Sequence, residues 1–220
     1  MEAAPVYKRP QVMLTQELLS SLSREINSLS DENFITRKQA LEKLYDSCMN
    51  IKPRLTLRNL YTEEGQEILE QLSKPLLKRF SDDREKCREL AIKLYKELIA
   101  RCEDVSHFLP YIFTVLVERL GAVDLEGIQD IPEQMRPNPS QKPQVLKSPP
   151  ESSEEIRFLI AGLVMVLVCT GLENFINIID EVTNVLRALA MDPANSNVMI
   201  EACRAISEMC RNAPKLLLHY

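Results

Sequence analysis

RFSDDREKCRELAIKLYKELI, from Arg79 to Ile99, joins a short acidic turn to an arginine and then to apolar residues at helical spacing. With Asp82 as origin, Arg88 falls at plus six, Ala91 at plus nine, Ile92 at plus ten and Tyr95 at plus thirteen. SDENFITRKQALEKLYDSC repeats that register from Asp31, with Arg37 at plus six, Ala40 at plus nine, Leu41 at plus ten and Leu44 at plus thirteen. Two further copies are less complete. ESSEEIRFLIAGLV starts from Glu151 in place of Asp, keeps Arg157 at plus six and puts Ile160 where the small residue stood. MDPANSNVMIEACRAISEMC starts from Asp192 and returns the apolar register one residue late: Ala202 and Cys203 stand for Ala91 and Ile92, and Met199 for the arginine. Arg79 to Ile99 is therefore one copy of a repeating unit.

Each copy follows another amphipathic segment, at about Val12–Leu29, Glu63–Phe80, Val105–Leu120 and Glu173–Met191. In the second of these Ile68, Leu69, Leu72, Leu76 and Phe80 share one face. In the last, Ile176, Ile179, Val182, Val185, Leu186 and Leu189 do so. Eight helices then pair into four helix–turn–helix units. Cys87, Leu90, Ala91, Leu94, Leu98 and Ile99 form a stripe too wide for one partner helix, which stacked neighbours can cover. The expected fold class is all-α, an α-solenoid of about four helix pairs in an armadillo-type superhelix.

The expected organisation is a tail at 1–11 and an array at 12–220. Its units lie at about 12–50, 63–102, 105–171 and 173–212, and the apolar residues Leu216, Leu217 and Leu218 open a truncated further unit at 213–220. Six of the thirteen prolines fall between Pro132 and Pro150, in a stretch with no helical period, which predicts a disordered loop over 121–152 inside the third unit. Ser148-Pro149 within it is either a proline-directed phosphorylation site or an unmodified, solvated serine.

The acidic residue of each copy has a physical role. Asp31, Asp82 and Asp192 stand where a helix begins, where a carboxylate can accept from first-turn amides and face the positive end of the helix dipole. Arg37 and Arg88, one to two turns in, can bridge to the Asp of their own or a neighbouring unit; Arg157 keeps the same plus-six place in its copy. The alternative is a capping Asp beside an unrelated, solvent-facing Arg.

Composition agrees with a helical chain. Of 220 residues 45% are hydrophobic and 27% charged, aromatics are 5%, Trp is absent and Gly numbers five, which disfavours strands and hairpins. A net charge of −5 disfavours nucleic acid as the main partner. The six Cys form no Cys-x-x-Cys and five sit in apolar helical patterns, so they read as reduced thiols acting as small core residues. Phe158 to Leu172 is free of charge for 15 residues, shorter than a bilayer span, and reads as a helix buried on most sides.

The unit resembles the HEAT repeat across about residues 12 to 215. More narrowly, DDREKCRELAIKLYKEL, VERLG followed by ESSEEIRFLI, and DPANSNVMIEACRAISEMCRNAP together resemble the HEAT-repeat family of dynein axonemal assembly factor 5, as an N-terminal portion or short form. That resemblance implies a non-enzymatic, cytoplasmic scaffold that helps preassemble axonemal dynein arms for motile cilia, with axonemal dynein chains and co-chaperones as partners. It carries no catalytic residues over. The alternative function is a HEAT-repeat adaptor or regulatory scaffold for another complex, as a tubulin-binding, transport or enzyme-regulatory module.

No catalytic, cofactor or metal constellation stands out. His107 and His219 have no ligand spacing to Cys or to each other, and His107 reads as a first-turn residue of HFLPYIFTVLVERL. Five glycines, at 65, 121, 127, 162 and 171, leave no phosphate-binding loop. Proteins are the expected partners, with neither nucleic acid nor membrane, and with self-association through the uncapped C-terminal end. In the second unit Arg84, Lys86, Arg88, Lys93 and Lys96 interleave with Glu85, Glu89 and Glu97. This mixture is either a solvated face or a groove for an acidic peptide or helix.

Overall fold

A computed structural model describes residues 10–49, 63–102, 104–122 and 150–217. Among these residues the chain forms eight α-helices and no strand. They are α1 (Pro10–Ser28), α2 (Phe34–Met49), α3 (Glu63–Arg79), α4 (Glu85–Ile99), α5 (Leu109–Leu120), α6 (Glu154–Gly171), α7 (Ile179–Ala190) and α8 (Ser196–Asn212). Short 3-10 turns occupy Leu172–Asn177 and Pro214–Leu217.

The packing is that of an α-solenoid. The even-numbered helices form one continuous layer, α2 on α4, α4 on α6 and α6 on α8. In the other layer α1 packs on α3 and α5 on α7, and the layers join through α1–α2, α3–α4 and α7–α8. The layout follows from the width of the apolar stripes. In α4, Cys87, Ala91 and Leu94 are fully buried together with Ile92, Tyr95 and Ile99, which point to other sides of the same helix. Only a helix with neighbours on three sides can bury such a set.

α6 is the extreme case. Residues Glu154–Asn177 are long and apolar enough to cross a membrane by length and composition alone. In the solenoid Ile156, Ile160, Leu163, Val164, Leu167 and Val168 are buried, and the helix lies between α4 and α8. Edge-to-face ring pairs add to the packing: Phe80 with Tyr95 of α4 at 5.6 Å, and Phe113 of α5 with Phe175 of the Leu172–Asn177 turn at 5.5 Å between ring centroids.

Several expectations are corrected. Ile176 does not continue the apolar face of α7. Residues Leu172–Asn177 form a 3-10 turn, whose three-residue period changes the register, so Phe175 is buried and Ile176 is 66% exposed. α5 begins at Leu109, with Pro110 in its first turn, so His107 precedes the helix and is exposed. Cys48, Cys87 and Cys102 are core residues, but Cys169, Cys203 and Cys210 are exposed.

Of the segment expected as a loop at 121–152, both ends are described. Gly121 closes α5 in the left-handed region, at φ 63°, and Pro150, Glu151 and Ser152 already belong to the array. The chain leaves and returns at one point: the Glu151 amide donates to the Arg119 carbonyl at 2.8 Å. Residues 123–149, with the Ser148-Pro149 step, lie outside the described residues, as do residues 1–9, 218–220 and the side chains of Leu216 and Leu217.

Candidate functional site

The arginines and carboxylates marked out in the repeat form a ladder along the even-numbered layer. Arg37 Nε donates to Asp82 Oδ2 at 2.8 Å and Arg37 Nη2 to Asp82 Oδ1 at 2.9 Å. Arg88 Nε donates to Glu151 Oε2 at 2.8 Å and its Nη2 to Oε1 at 2.9 Å. Arg157 forks onto Asp192 in the same way. Each arginine thus grips the acid of the following unit, a geometry that the spacing left open between own and neighbouring unit. The fork–carboxylate match makes each rung specific in direction as well as charge.

The third guanidinium nitrogen faces backward. Arg37 Nη1 donates to the carbonyls of Asp31 and Glu32, Arg88 Nη1 to that of Asp82, and Arg157 Nη1 to those of Glu151 and Ser152. The plus-six spacing places the guanidinium beside its own turn and within reach of the next. Every rung therefore ties two consecutive turns together.

The carboxylates do not cap helices as expected. Asp31 and Asp82 accept from the amides two residues on, those of Asn33 and Arg84, and Glu151 accepts from Ser153. The caps are those later residues: Asn33 and Ser153 side chains accept from the first turns of α2 and α6, and Arg84 caps α4 with no side-chain bond. An acid two residues ahead of the cap shapes the turn, and at Asp82 and Glu151 the oxygen that accepts the turn amide also accepts one nitrogen of the incoming arginine fork. In the last unit one extra residue separates Asp192 from α8, so Asp192 accepts from both Ala194 and Asn195, and Asn195 is the cap. This insertion is the one-residue delay visible in the sequence.

Two arginines were missed from sequence. Arg79 Nη1 donates to Asp82 at 2.9 Å, and Arg119 donates to Glu151. Both end an odd-numbered helix, so the two central carboxylates each receive two guanidinia. The signal was a basic residue three before the acid in RFSD; in the other unit it is hidden because the long insertion separates Arg119 from Glu151.

The ladder is buried. The side chains of Asp82 and Glu151 are fully inaccessible and that of Asp192 nearly so, while Asp31 is exposed. Burial alone would raise the pKa of Asp82 and Glu151. The Arg37 guanidinium and the Arg84 amide outweigh it at Asp82, as Arg88, the Ser153 amide and Arg119 do at Glu151, so both acids are held below the ordinary carboxylate range. The Arg157 hydrogen bond lowers Asp192 likewise.

Chemically the ladder carboxylates Asp82, Glu151 and Asp192 are engaged by arginines and turn amides. Among the described residues no group of His, Cys, Asp or Glu could hold a metal ion. The open face of the same layer lies one, five and eight residues after Arg37, Arg88, Arg157 and, on α8, Met199. Lys38, Glu42 and Tyr45 occupy it on α2, Glu89, Lys93 and Lys96 on α4, Phe158, Gly162 and Met165 on α6, and Ile200, Arg204 and Ser207 on α8, none of them buried.

The face is charged but internally paired at one end, with Lys38–Glu42 and Glu89 between Lys86 and Lys93. At the other end it is apolar, with Phe158 41% and Ile200 48% exposed beside an open groove of about 580 Å³ lined by Met165, Met199, Ile200 and Cys203. Lys96 crosses from one region to the other over Gly162, whose missing Cβ would stand 3.5 Å from Lys96 Nζ.

Residues 28–137, half of the chain, match the family described as dynein axonemal assembly factor 5-like, TPR repeats. The dynein axonemal assembly factor 5 of Xenopus laevis is 26% identical over 201 residues, which are 91% of this chain and 20% of that protein. That of Mus musculus is 26% identical over 200 residues, 90% of this chain and 20% of that protein. The chain spans about a fifth of the length of these relatives. On the matched repeats, the chain belongs to the dynein axonemal assembly factor 5-like family of helical-repeat proteins.

Proposed function

We propose that the chain is a non-enzymatic scaffold that works in the cytoplasm in the preassembly of axonemal dynein arms for motile cilia, with HEAT-type repeats holding a protein-binding face. The observation that carries this reading is the similarity to two proteins named dynein axonemal assembly factor 5 over nine-tenths of the chain. The arrangement of the ladder supports it: the acids and arginines that could do chemistry are consumed in fixing one unit on the next. The open face differs from unit to unit in charge and size, which suits a binding scaffold.

The docking surface in this reading is the apolar part of that face, around Phe158 and Met165, with axonemal dynein chains and co-chaperones as its protein partners. Affinity capture from ciliated cells tests it. Dynein heavy or intermediate chains and chaperone components should be recovered with the intact chain, and recovery should fall severalfold with Phe158→Glu. Capture that yields neither class, or that is indifferent to Phe158→Glu, overturns the reading. Fractionation of the same cells tests the site of action, and enrichment in the axoneme instead of the cytoplasm counts against it.

A further inference from the structure

The turns that carry Asp82 and Glu151 match atom for atom around their incoming arginines. In each, the arginine Nε donates to one carboxylate oxygen and Nη2 to the other, and that second oxygen also accepts the amide two residues on. The residue after the acid differs. In the first turn it is exposed Asp83, whose carboxylate accepts from Arg37 Nη2, so Arg37 holds two acids. In the second it is Ser152, also exposed, and Glu151 is the one acid paired with Arg88 among the described residues. At the Asp192 turn the same position is Pro193, which has no side-chain oxygen. The middle junction therefore has the place for a second acid and no acid in it.

We propose that Ser152 is a phosphorylation site of an acid-directed protein kinase, and that its phosphate takes on Arg88 the place that Asp83 holds on Arg37. The neighbouring groups single out this serine. Its hydroxyl makes no hydrogen bond among the described residues, whereas that of Ser153 donates to Glu85 at 2.7 Å and accepts from the Ile156 amide as the cap of α6. A phosphate on Ser153 would break that cap and face a carboxylate; one on Ser152 leaves the cap in place. Exposed Glu154 and Glu155 follow at plus two and plus three, an acidic flank that complements the basic substrate cleft of such a kinase.

In the transfer, Ser152 Oγ attacks the terminal phosphorus of ATP. The new Oγ–P bond replaces the bond to the β-phosphate oxygen, ADP leaves, and the hydroxyl proton passes to the base of the kinase. The product carries a charge of about −2 and three acceptor oxygens. It precedes the first turn of α6, where free amides favour an anion, and it adds a charge-assisted bond from Arg88 on α4 to the start of α6. Modification thus tightens the second unit on the third at the one junction where the second acid is replaceable: Asp83 fills the place permanently and Pro193 closes it.

The full chain, incubated with a purified acid-directed serine kinase and magnesium ATP, should take up phosphate on Ser152, mapped by peptide mass spectrometry, and Ser152→Ala should lose it. Failure of the kinase to modify Ser152 overturns the site. The full chain carrying phosphoserine at 152, incorporated during translation, tests the contact. Its second ionisation, followed by phosphorus NMR, should lie below the ordinary value of about 6. Its melting transition should rise by about 2–4 °C over the unmodified chain. Arg88→Gln should reverse most of both shifts; shifts that survive it assign the phosphate to the helix end alone and overturn the contact. Should Arg88→Gln unfold the chain, the Arg88 guanidinium NMR signals of the otherwise native chain decide. They should move on phosphorylation, and unmoved signals overturn the contact.

Discussion

Arg88 and Glu151 are 63 residues apart in the chain and are joined by two parallel hydrogen bonds, at 2.8 and 2.9 Å. Glu151 also receives Arg119. One carboxylate therefore holds the second unit, the end of α5 and the start of α6 at a single point, across the residues 123–149 that separate them in sequence. The rung does the joining that chain connectivity does elsewhere.

Removing that acid leaves two buried guanidinia facing each other. Breaking a buried pair by deleting one partner costs about 3–5 kcal/mol, and Glu151→Ala should lie at the upper end. Asp192→Ala, which releases only Arg157, should lie at the lower end. Urea denaturation of the two variants measures the order directly; equal losses would mean that Arg119 contributes nothing to the rung.

Acid should undo the ladder as a set. The folded-state pKa values of Asp82, Glu151 and Asp192 are all depressed, so each contributes stability that is complete above the unfolded values of about 3.9 for Asp and 4.3 for Glu. That stability is lost as pH falls through the folded values. The urea midpoint should be nearly flat from pH 7 to about 5 with respect to these groups and fall steeply below about 4. Asp192→Asn should start lower at neutral pH and fall less. A wild-type midpoint that drops mainly between pH 7 and 5 would point to other groups.

The Tyr95 hydroxyl shares a buried hydrogen bond with Ser73 at 2.8 Å, linking α4 to α3. Burial pushes the phenol well above its ordinary range, so it remains a neutral hydroxyl. Tyr95→Phe strands the serine hydroxyl and should cost about 1–3 kcal/mol. Ser73→Ala added to it should restore part of the loss, because removing both partners leaves nothing unsatisfied. Thermal melts of the two singles and the double close the cycle, and strict additivity would show that the bond carries no coupling.

The fold was legible because its signal repeats. Asp31 with Arg37 and Asp82 with Arg88 share one register, and periodic stripes such as Ile68–Leu72–Leu76 need no tertiary knowledge to read. The register also aligned Glu151 and Arg157 with the other copies despite the change from Asp to Glu. Ladder direction was not legible: plus-six spacing lets an arginine reach its own turn's carbonyls and the next unit's acid, and only stacking shows that it does both. Arg119 was hidden because the insertion separates it from Glu151 in sequence. Ile176 and the exposed cysteines were misread for a common reason. Helical spacing says that a residue lies on a stripe, but not that a 3-10 turn breaks the register or which of the stripes of a helix a neighbour covers.

The insertion in the third unit should be removable. Its ends meet: a Cβ on Gly121 would stand 3.1 Å from Pro150 Cγ, and the Glu151 amide already bonds to the Arg119 carbonyl. Replacing residues 123–149 with about four Gly and Ser residues therefore asks nothing new of the fold. Closure entropy changes by about 0.6 kcal/mol per halving of length, so the shortened chain should be more stable by about 1–2 kcal/mol. Its melting transition should rise by a few degrees with an unchanged helical spectrum. Gly121 must be kept, since its φ of 63° favours a residue without a Cβ and Gly121→Ala should cost about 1 kcal/mol. A shortened chain that loses helicity would show that residues 123–149 contribute packing to the third unit, and the neck at Glu151 would then not be sufficient to hold α5 to α6.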